Sequence, residues 1–245
     1  MLTNSLESNL KINGYVKFDF HIHSKYSYDS LSTPKSIVRT AKKQGLNGLA
    51  ITDHNTIKGA IEASKIDKNI EIIIGSEIKT DEGDIIGLFL NEEIKSTGFD
   101  SVIDEIREQG GFIILPHPYK TFDNIPDYIL NRIDAIEILN GRISNVLNNK
   151  ARELAFDKKL LFTGGSDAHL AKDVGRVATI FNGDIGTLTR DNIKKALEQC
   201  NVTGTEAPGY THYYTAAIGN IRKKSLMGIG RKIFKKILGK SGRKK

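Results

Sequence analysis

The chain has 245 residues, of which 39% are hydrophobic, and a formal net charge of +7. This length and composition are sufficient for one domain with a full buried core. No segment is long and apolar enough to span a membrane, and the start of the chain lacks the basic and apolar runs of a signal peptide. We therefore expect a cytoplasmic protein. The one cysteine, Cys200, excludes an internal disulfide and belongs to no metal-binding pair.

The positive charge is concentrated at the C-terminal end of the sequence. Residues 222–245 hold eleven Lys and Arg and no acidic residue, which leaves 25 basic against 29 acidic residues elsewhere. This mildly acidic remainder argues against a broad nucleic-acid-coating surface outside the C-terminal segment.

Residues 226–238 have the pattern of a basic amphipathic helix, with apolar residues at intervals of three and four and Lys or Arg between them. Such a helix could lie peripherally on an anionic membrane, contact nucleic-acid phosphates, or pack on the domain. The aromatic cluster at 210–214 could stack bases or anchor this segment, and we do not expect His212 to be a ligand. We divide the chain into an N-terminal extension (1–14), a main domain (15–205) and a basic amphipathic tail (206–245).

Apolar, β-branched runs alternate with amphipathic stretches along the main domain. Strands are predicted over 15–20, 46–52, 70–76, 84–90, 111–116, 134–139, 160–166 and 176–181. Helices are predicted over 34–45, 57–66, 99–109, 144–158 and 190–200. This alternation indicates an α/β fold with a parallel sheet, in either a barrel or a doubly wound arrangement.

Five of the six histidines lie in four short motifs, FDFHIHS, ITDHN, PHPY and GSDAH. Imidazole and carboxylate groups are the usual ligands of zinc, manganese and iron in catalytic centres. The candidate residues fall at or just beyond the C-terminal ends of several different predicted strands, where β/α barrels build their active sites, so their spread favours a barrel. These candidates are His21, His23, Asp53, His54, Glu77, His117, Glu137, Asp167 and His169.

The spacing within the motifs has a geometric meaning. Residues i and i+2 of an extended segment project to the same side, so His21 and His23 can reach one ion while Ile22 faces away. Asp167 and His169 repeat this spacing. Asp53 and His54 are adjacent and should diverge, which makes His54 the candidate ligand and Asp53 an acceptor that orients a neighbouring imidazole.

The chain resembles the polymerase and histidinol phosphatase (PHP) superfamily. The strings HIH, TDH, GSE, PHP and GSDAH, with Asp29 after the first, occur in the order typical of that family over roughly residues 16–182. The resemblance implies a distorted (β/α)7-type barrel with its metal site at the C-terminal ends of the strands. It also implies two or three divalent ions, either manganese, zinc or iron, and cleavage of phosphoesters.

Residue by residue, the resemblance implies three metal positions. One ion would be held by His21, His23, Glu77 and Asp167, a second by Glu77 and His117, and a third by Asp29, His54 and His169. The sequence departs from trinuclear members of the family at the second position, because no histidine lies between Glu77 and His117. Water or Glu137 would fill that position; alternatively, Glu137 is an acceptor that orients a ligand.

The implied mechanism is metal-assisted hydrolysis, which needs no serine or cysteine nucleophile. Asp167 or His169 would shuttle a proton to the leaving oxygen, with Asp53 supporting the catalytic histidines. Arg142, Arg176 and Lys120 are candidates for binding the substrate phosphate, or alternatively are surface charges or partners of nearby carboxylates.

Three functions remain open at this point. The first is a phosphoesterase acting on nucleotide or oligonucleotide phosphates, including 5′ to 3′ exonucleolytic trimming. The second is a phosphatase for small metabolites of the histidinol-phosphate type, or for phosphotyrosine. The third is a non-catalytic PHP module that binds a partner. The partners would be a phosphorylated small molecule or a nucleic-acid end, and the sequence carries no signal of oligomeric state.

Overall fold

The computed structural model describes residues 14–222 and contains one nine-stranded sheet. Most of its strands are four to six residues long, as expected for buried strands. They are β1 (Tyr15–Asp19), β2 (Gly48–Ile51), β3 (Glu71–Lys79), β4 (Asp84–Leu88), β5 (Phe112–Leu115), β6 (Ala135–Asn140), β7 (Leu161–Gly165), β8 (Val177–Asn182) and β9 (Cys200–Gly204).

Helices occupy most of the connections between these strands. They are α1 (Pro34–Lys43), α2 (Lys58–Ala63), α3 (Phe99–Glu108), α4 (Pro118–Thr121), α5 (Asp127–Leu130), α6 (Asn145–Asp157) and α7 (Ile193–Leu197), with a 3-10 turn at Ala171–Asp173. A last helix, α8, begins at residue 210 and is described as far as residue 222. The five predicted helices all form, with ends one to three residues from the predicted ones at most positions.

The sheet has the strand order β7-β6-β5-β4-β3-β2-β1-β8-β9 and curls into a nearly closed barrel. Closure occurs where the chain leaving β1 meets the chain leaving β7. There the Phe20 N–H approaches the Gly164 carbonyl at 3.5 Å, and the His23 N–H donates to the Ala168 carbonyl at 2.9 Å. The barrel prediction is therefore confirmed, and the ends of β1 and β7 are brought side by side.

The sheet is mixed, whereas the alternation of elements predicted an all-parallel one. Strand β4 runs antiparallel to β3 and β5, and β8 runs antiparallel to β1 and β9. Only residues 80–83 join β3 to β4, closed by a bond from the Thr80 N–H to the Gly83 carbonyl at 2.9 Å. A connection this short can form a hairpin but cannot cross over to a parallel strand.

Local sequence signals explain the first helix well. Thr33 caps α1 by accepting the Ser36 N–H at 3.2 Å, and Pro34 occupies the first turn, where its missing N–H has no cost. Ile37, Val38 and Ala41 form its buried face. This face packs on the outside of the barrel and fixes the wall that carries β1 and β2.

The barrel interior contains a cluster of aromatic rings near the β1–β8 pairing. Phe18 stacks on Phe20 with ring centroids 5.7 Å apart, and Phe181 meets Phe18 edge-on at 5.9 Å. Gly48 on β2 makes room for this cluster, since a Cβ there would lie 2.2 Å from the Phe18 ring. These rings close the floor of the barrel, and polar residues occupy the opposite end.

The described part of the C-terminal segment, as far as residue 222, contains helix α8. This helix buries Thr211, Thr215 and Ile218 within the segment that the sequence assigned to the tail. The predicted amphipathic helix at 226–238 and nearly all of the N-terminal extension lie outside the described residues. Across residues 14–222, no helix is long and apolar enough to cross a membrane.

Candidate metal centre

The motif residues converge at one end of the barrel from six strands. His21 and His23 follow β1, Asp53 and His54 follow β2, His117 follows β5, and Asp167 and His169 follow β7. Glu77 and Glu137 lie within β3 and β6 rather than beyond them, because both strands continue pairing with their neighbours past these positions. The result is one polar cluster, most of it buried.

Four of these side chains face one another closely enough to enclose an ion. His23 Nε2 lies 3.1 Å from His21 Nε2, 3.2 Å from Glu77 Oε2 and 3.3 Å from Asp167 Oδ1. His21 Nε2 lies 3.5 Å from the same Glu77 oxygen and 3.7 Å from the Asp167 oxygen. A tetrahedron of ligands at about 2.1 Å from zinc has edges of about 3.4 Å. The donors of His21, His23 and Asp167 lie within 4.8 Å of one another and fit a single divalent ion, and Glu77 Oε2 adjoins both imidazoles.

Glu137 sets which nitrogen of His21 faces this cluster. Its Oε1 lies 3.1 Å from His21 Nδ1, so the ring donates its Nδ1 proton and keeps a lone pair on Nε2. Its Oε2 accepts the His117 N–H at 2.8 Å and the Asn140 side-chain N–H at 2.9 Å. With both oxygens engaged, the contacts favour Glu137 as an orienting acceptor over its alternative role as a ligand.

Ser27 determines in the same way which nitrogen of His23 faces the cluster. The Ser27 hydroxyl donates its only proton to Asp53 Oδ1 at 2.8 Å, so it can only accept at its 3.0 Å contact with His23 Nδ1. His23 then carries its proton on Nδ1 and presents the Nε2 lone pair to the cluster. The Ser27 oxygen also accepts the His54 main-chain N–H at 3.0 Å.

Asp53 lies beneath the centre and does not touch an imidazole directly. Its carboxylate accepts the Ser24 N–H and the Ser24 hydroxyl, each at 2.6 Å, in addition to the Ser27 hydroxyl. Asp53 was predicted to orient a neighbouring imidazole, and the structure places Ser27 between Asp53 and His23. Gly59 of α2 packs against the network, since a Cβ there would lie 1.9 Å from Asp53 Oδ2.

A second group of donors adjoins the first through Glu77. Glu77 Oε1 lies 2.9 Å from His117 Nε2, and donor atoms of His21, Glu77 and His117 lie within 4.8 Å of one another. His117 has a φ of 29°, a strained backbone angle that is typical of functional positions. Its Nδ1 is buried with no hydrogen-bond partner among residues 14–222. Among residues 14–222, this second group therefore has three donor residues. This number agrees with the absence of a histidine between Glu77 and His117 in the sequence.

A third group lies on the other side of Glu77. His54 stands between two carboxylates, with Nδ1 at 3.1 Å from Glu77 Oε2 and Nε2 at 3.6 Å from Asp29 Oδ2. The same Asp29 oxygen lies 3.0 Å from His169 Nε2. His169 Nδ1 is 2.9 Å from the Asp167 carbonyl, which can only accept, so Nε2 keeps its lone pair. These contacts bring Asp29, His54 and His169 together.

The electrostatics of the cluster favour cations. Burial opposes ionisation of Glu77 and Asp167, yet the facing His21 holds the pKa of each carboxyl well below its usual range. Burial also opposes charge on His54, but Glu77 and Asp29 outweigh it and raise its pKa to about 10. Burial and the neighbouring His23 lower the pKa of His169 to about 4. Ionised carboxylates thus surround imidazoles, and divalent ions can replace the protons between them.

The centre forms the floor of a cleft of about 730 Å³. Of the three cations predicted to bind phosphate, Lys120 and Arg142 line this cleft. Arg176 does not, because its guanidinium pairs with the buried Asp173 at 3.1 Å. Arg176 is therefore a partner of a nearby carboxylate, which is the alternative role that the sequence left open for it. His212 also lines the cleft, in contact distance of Arg142.

Several residues of the site were not predicted from the sequence. Ser27 and Asn140 orient the donors, and Thr215 contacts Arg142 from helix α8. Serine and asparagine are common in loops, so their identity alone carries little signal. Ser27 lies within the stretch HIHSKYSYD between two predicted ligands, and that position was the one available indication.

Comparison with known proteins identifies a family for this chain. The PHP domain family model matches residues 19–201. An uncharacterized protein of Methanocaldococcus jannaschii is 44% identical over 158 residues, covering 55% of this chain and 91% of that protein. A 5′-3′ exoribonuclease of Haemophilus influenzae is 46% identical over 66 residues, covering 26% of this chain and 24% of the enzyme.

Among solved structures, the fold is similar to that of a two-domain protein of Bacteroides vulgatus that contains a predicted PHP-like metal-dependent phosphoesterase. The TM-score is 0.65 at 23% identity, and the match covers 79% of this chain and 66% of the solved chain, just under two thirds. The family model, the ordered motifs and the barrel point to the same conclusion. The chain belongs to the PHP domain family.

Proposed function

We propose that this protein is a metal-dependent phosphoesterase. The observation that carries the proposal is the cluster of His21, His23, Glu77 and Asp167 at the base of an open cleft, in which the two imidazole Nε2 atoms lie 3.1 to 3.7 Å from each other and from both carboxylates. The second donor group shares Glu77 with it, and the third contacts Glu77 through His54. Multiple ions held by a common carboxylate are typical of phosphoester hydrolysis.

Different residues of the centre hold the ions and orient the ligands. Glu77 serves all three groups, because Oε1 faces His117 while Oε2 faces His23 and His54. When bound, divalent ions supply an activated water and neutralise the charge that builds on the phosphoryl oxygens. Glu137 and Ser27 hold the ligand imidazoles in one orientation.

The cleft also contains groups that can handle the substrate itself. Lys120 and Arg142 supply N–H donors for the phosphoryl oxygens. Asp167 and His169 line the same cleft and are the candidates for shuttling a proton, first accepted and then passed on, to the leaving oxygen. Asp53 acts from below through Ser27 and does not contact the cleft.

We propose nucleotide or oligonucleotide phosphoesters as substrates, with cleavage from the 5′ end. The matched segment of the Haemophilus influenzae exoribonuclease supports this choice over its 66 residues. A second support is Tyr28, whose half-exposed ring stacks on His54 with centroids 4.9 Å apart at the cleft wall. An exposed aromatic ring beside the centre can stack a base.

The test is the size of the products from a 5′-phosphorylated oligonucleotide incubated with manganese-loaded protein. Progressive shortening by the wild type, lost in D167N and retained in the surface control D157N, is the expected result. An oligonucleotide of unchanged length would contradict the nucleic-acid substrate.

A small phosphomonoester, of the histidinol-phosphate or phosphotyrosine type, is the second candidate. The observation that favours it is the cleft volume of about 730 Å³, which lies in the range of small-molecule sites. Release of inorganic phosphate from such esters, with no shortening of oligonucleotides, is the outcome that would select it.

A further inference from the structure

Arg142 is held from helix α8 rather than from the barrel strand that precedes it. Its Nη2 donates to Thr215 Oγ1 at 2.9 Å and lies 3.4 Å from His212 Nδ1. Its Nη1 is buried and has no hydrogen-bond partner among residues 14–222. Within the same residues, Arg142 forms no ion pair with a carboxylate.

An unpartnered buried guanidinium N–H requires an explanation. A charged guanidinium N–H that is buried without an acceptor is costly, because it has lost its hydrogen bonds to water and gained none in return. The guanidinium fork matches the oxygens of a phosphate group. Because Arg142 lines the main cleft, an anionic group there would complete its hydrogen bonds.

The main chain of Arg142 is anchored separately to the metal end of the barrel. The Arg142 N–H donates to Asn140 Oδ1 at 2.8 Å, and the Gly141 N–H donates to the Gly165 carbonyl at 3.0 Å. Gly141 packs on Ser166 so closely that a Cβ would lie 2.6 Å from the Ser166 carbonyl oxygen. The backbone is therefore fixed, and the direction of the long side chain depends on its contacts with α8.

Helix α8 is itself attached on both sides of the cleft. Arg222 donates to the carbonyls of Lys25 and Ser27, in the loop that leads to Asp29. A side cavity of about 330 Å³ lies between α8 and this loop, with Arg142, Tyr28 and Gly219 among its lining residues. The helix thus spans from the Arg142 side of the cleft to the Asp29 side.

We propose that helix α8 is a functional part of the substrate site, with Thr215 and His212 as positioning residues that hold Arg142 where it binds a phosphoryl oxygen. This inference rests on the proposed phosphoesterase function. Its consequence is that losing the Thr215 hydroxyl weakens binding of the anion and leaves the metal ions in place.

The experiment compares Thr215→Val with Thr215→Ser and Thr211→Val. Thr211 is a matched control, because it is buried on the same helix and its hydroxyl donates to a carbonyl three residues earlier, as that of Thr215 also does, but it forms no hydrogen bond with the Arg142 guanidinium. Binding of inorganic phosphate to the manganese-loaded full chain is measured by calorimetry, together with metal content. We expect about fivefold to tenfold weaker binding in T215V, and changes under about twofold in T215S and T211V.

A double-mutant cycle separates positioning from a general structural effect. If Thr215 acts through Arg142, T215V has no further effect on phosphate binding in an R142A background. Equal phosphate binding by the wild type and T215V, or the same loss in T211V, would overturn this inference alone. Absence of phosphate binding by the metal-loaded wild type would overturn the proposed function and this inference together.

Discussion

The Ser27 hydroxyl donates to Asp53 Oδ1 over 2.8 Å, and this bond decides which nitrogen of His23 is available to an ion. A serine that has given its proton to a carboxylate must accept from His23 Nδ1, which leaves Nε2 free. Asp53 therefore acts on the metal centre through one intervening residue.

We predict that Ser27→Ala weakens metal binding by about 10- to 100-fold, the usual effect of removing an orienting partner of a ligand. The measurement is competition for manganese against a chelator of known affinity. Ser64→Ala is the control, because the Ser64 hydroxyl donates to the Ile61 carbonyl at the C-terminal end of α2, away from the metal centre. An affinity in S27A equal to that in S64A would show that the Ser27 bond does not orient His23.

Gly59 gives a second test of the same network. A methyl group there would meet Asp53 Oδ2 at 1.9 Å and Ser24 Oγ at 2.3 Å, so G59A must displace the carboxylate. We expect a loss of about 1–3 kcal/mol in the free energy of unfolding, and weaker metal binding as well. Gly209→Ala is the control, because nothing lies within 4 Å of its added Cβ. Denaturant unfolding of both variants that gives equal midpoints would refute the predicted clash.

The metal-free protein should lose stability as pH rises from about 6.5 to about 10. In the unfolded chain His54 releases its proton near 6.5, whereas Glu77 and Asp29 raise its folded pKa to about 10 against the effect of burial. Between these two pH values the folded state binds more protons than the unfolded chain does. The resulting stabilisation is fully present below a pH of about 6.5 and is lost as the pH rises to about 10. Melting temperatures in chelator across this range measure the effect.

The variant His54→Gln should flatten part of this pH dependence, because it removes the titrating imidazole. Manganese ions should flatten it in the wild type, since a ligand imidazole must be neutral. An H54Q profile parallel to that of the wild type would assign the pH dependence to other groups.

Substitution of Arg142 and of Arg176 should change different properties of the protein. R142A should raise KM for a phosphoester by about tenfold or more, because a charged donor to the substrate is lost. R176A should leave KM unchanged and lower the melting temperature, because the buried Asp173 carboxylate loses its partner at 3.1 Å. A raised KM in R176A at unaltered stability would restore the role that the sequence suggested for it.

Much of the centre could be predicted because its geometry is local. The i, i+2 spacing of His21 and His23 in an extended segment is enough to place both rings on one side, and the 3.1 Å contact between their Nε2 atoms agrees with it. The ligand motifs lie in the last residues of strands or just after them, so closing the barrel brings them together.

The features that escaped prediction depend on contacts between distant residues. Strand β9 (Cys200–Gly204) is short and polar, and it forms by pairing with β8, so its own composition does not mark it. The antiparallel direction of β4 follows from a four-residue turn that hydrophobic patterning does not report. Thr215 meets Arg142 across 73 residues of sequence, and only the packing of α8 brings them together.

The most direct test of the account is hydrolysis of a phosphoester by the full chain with manganese, by the same protein after chelation, and by D167N, with bound metal counted in each. We predict that turnover disappears on chelation and returns with manganese in the wild type, and that D167N has reduced metal content and little turnover. Turnover and metal content in D167N equal to those of the wild type would contradict the assignment of the centre.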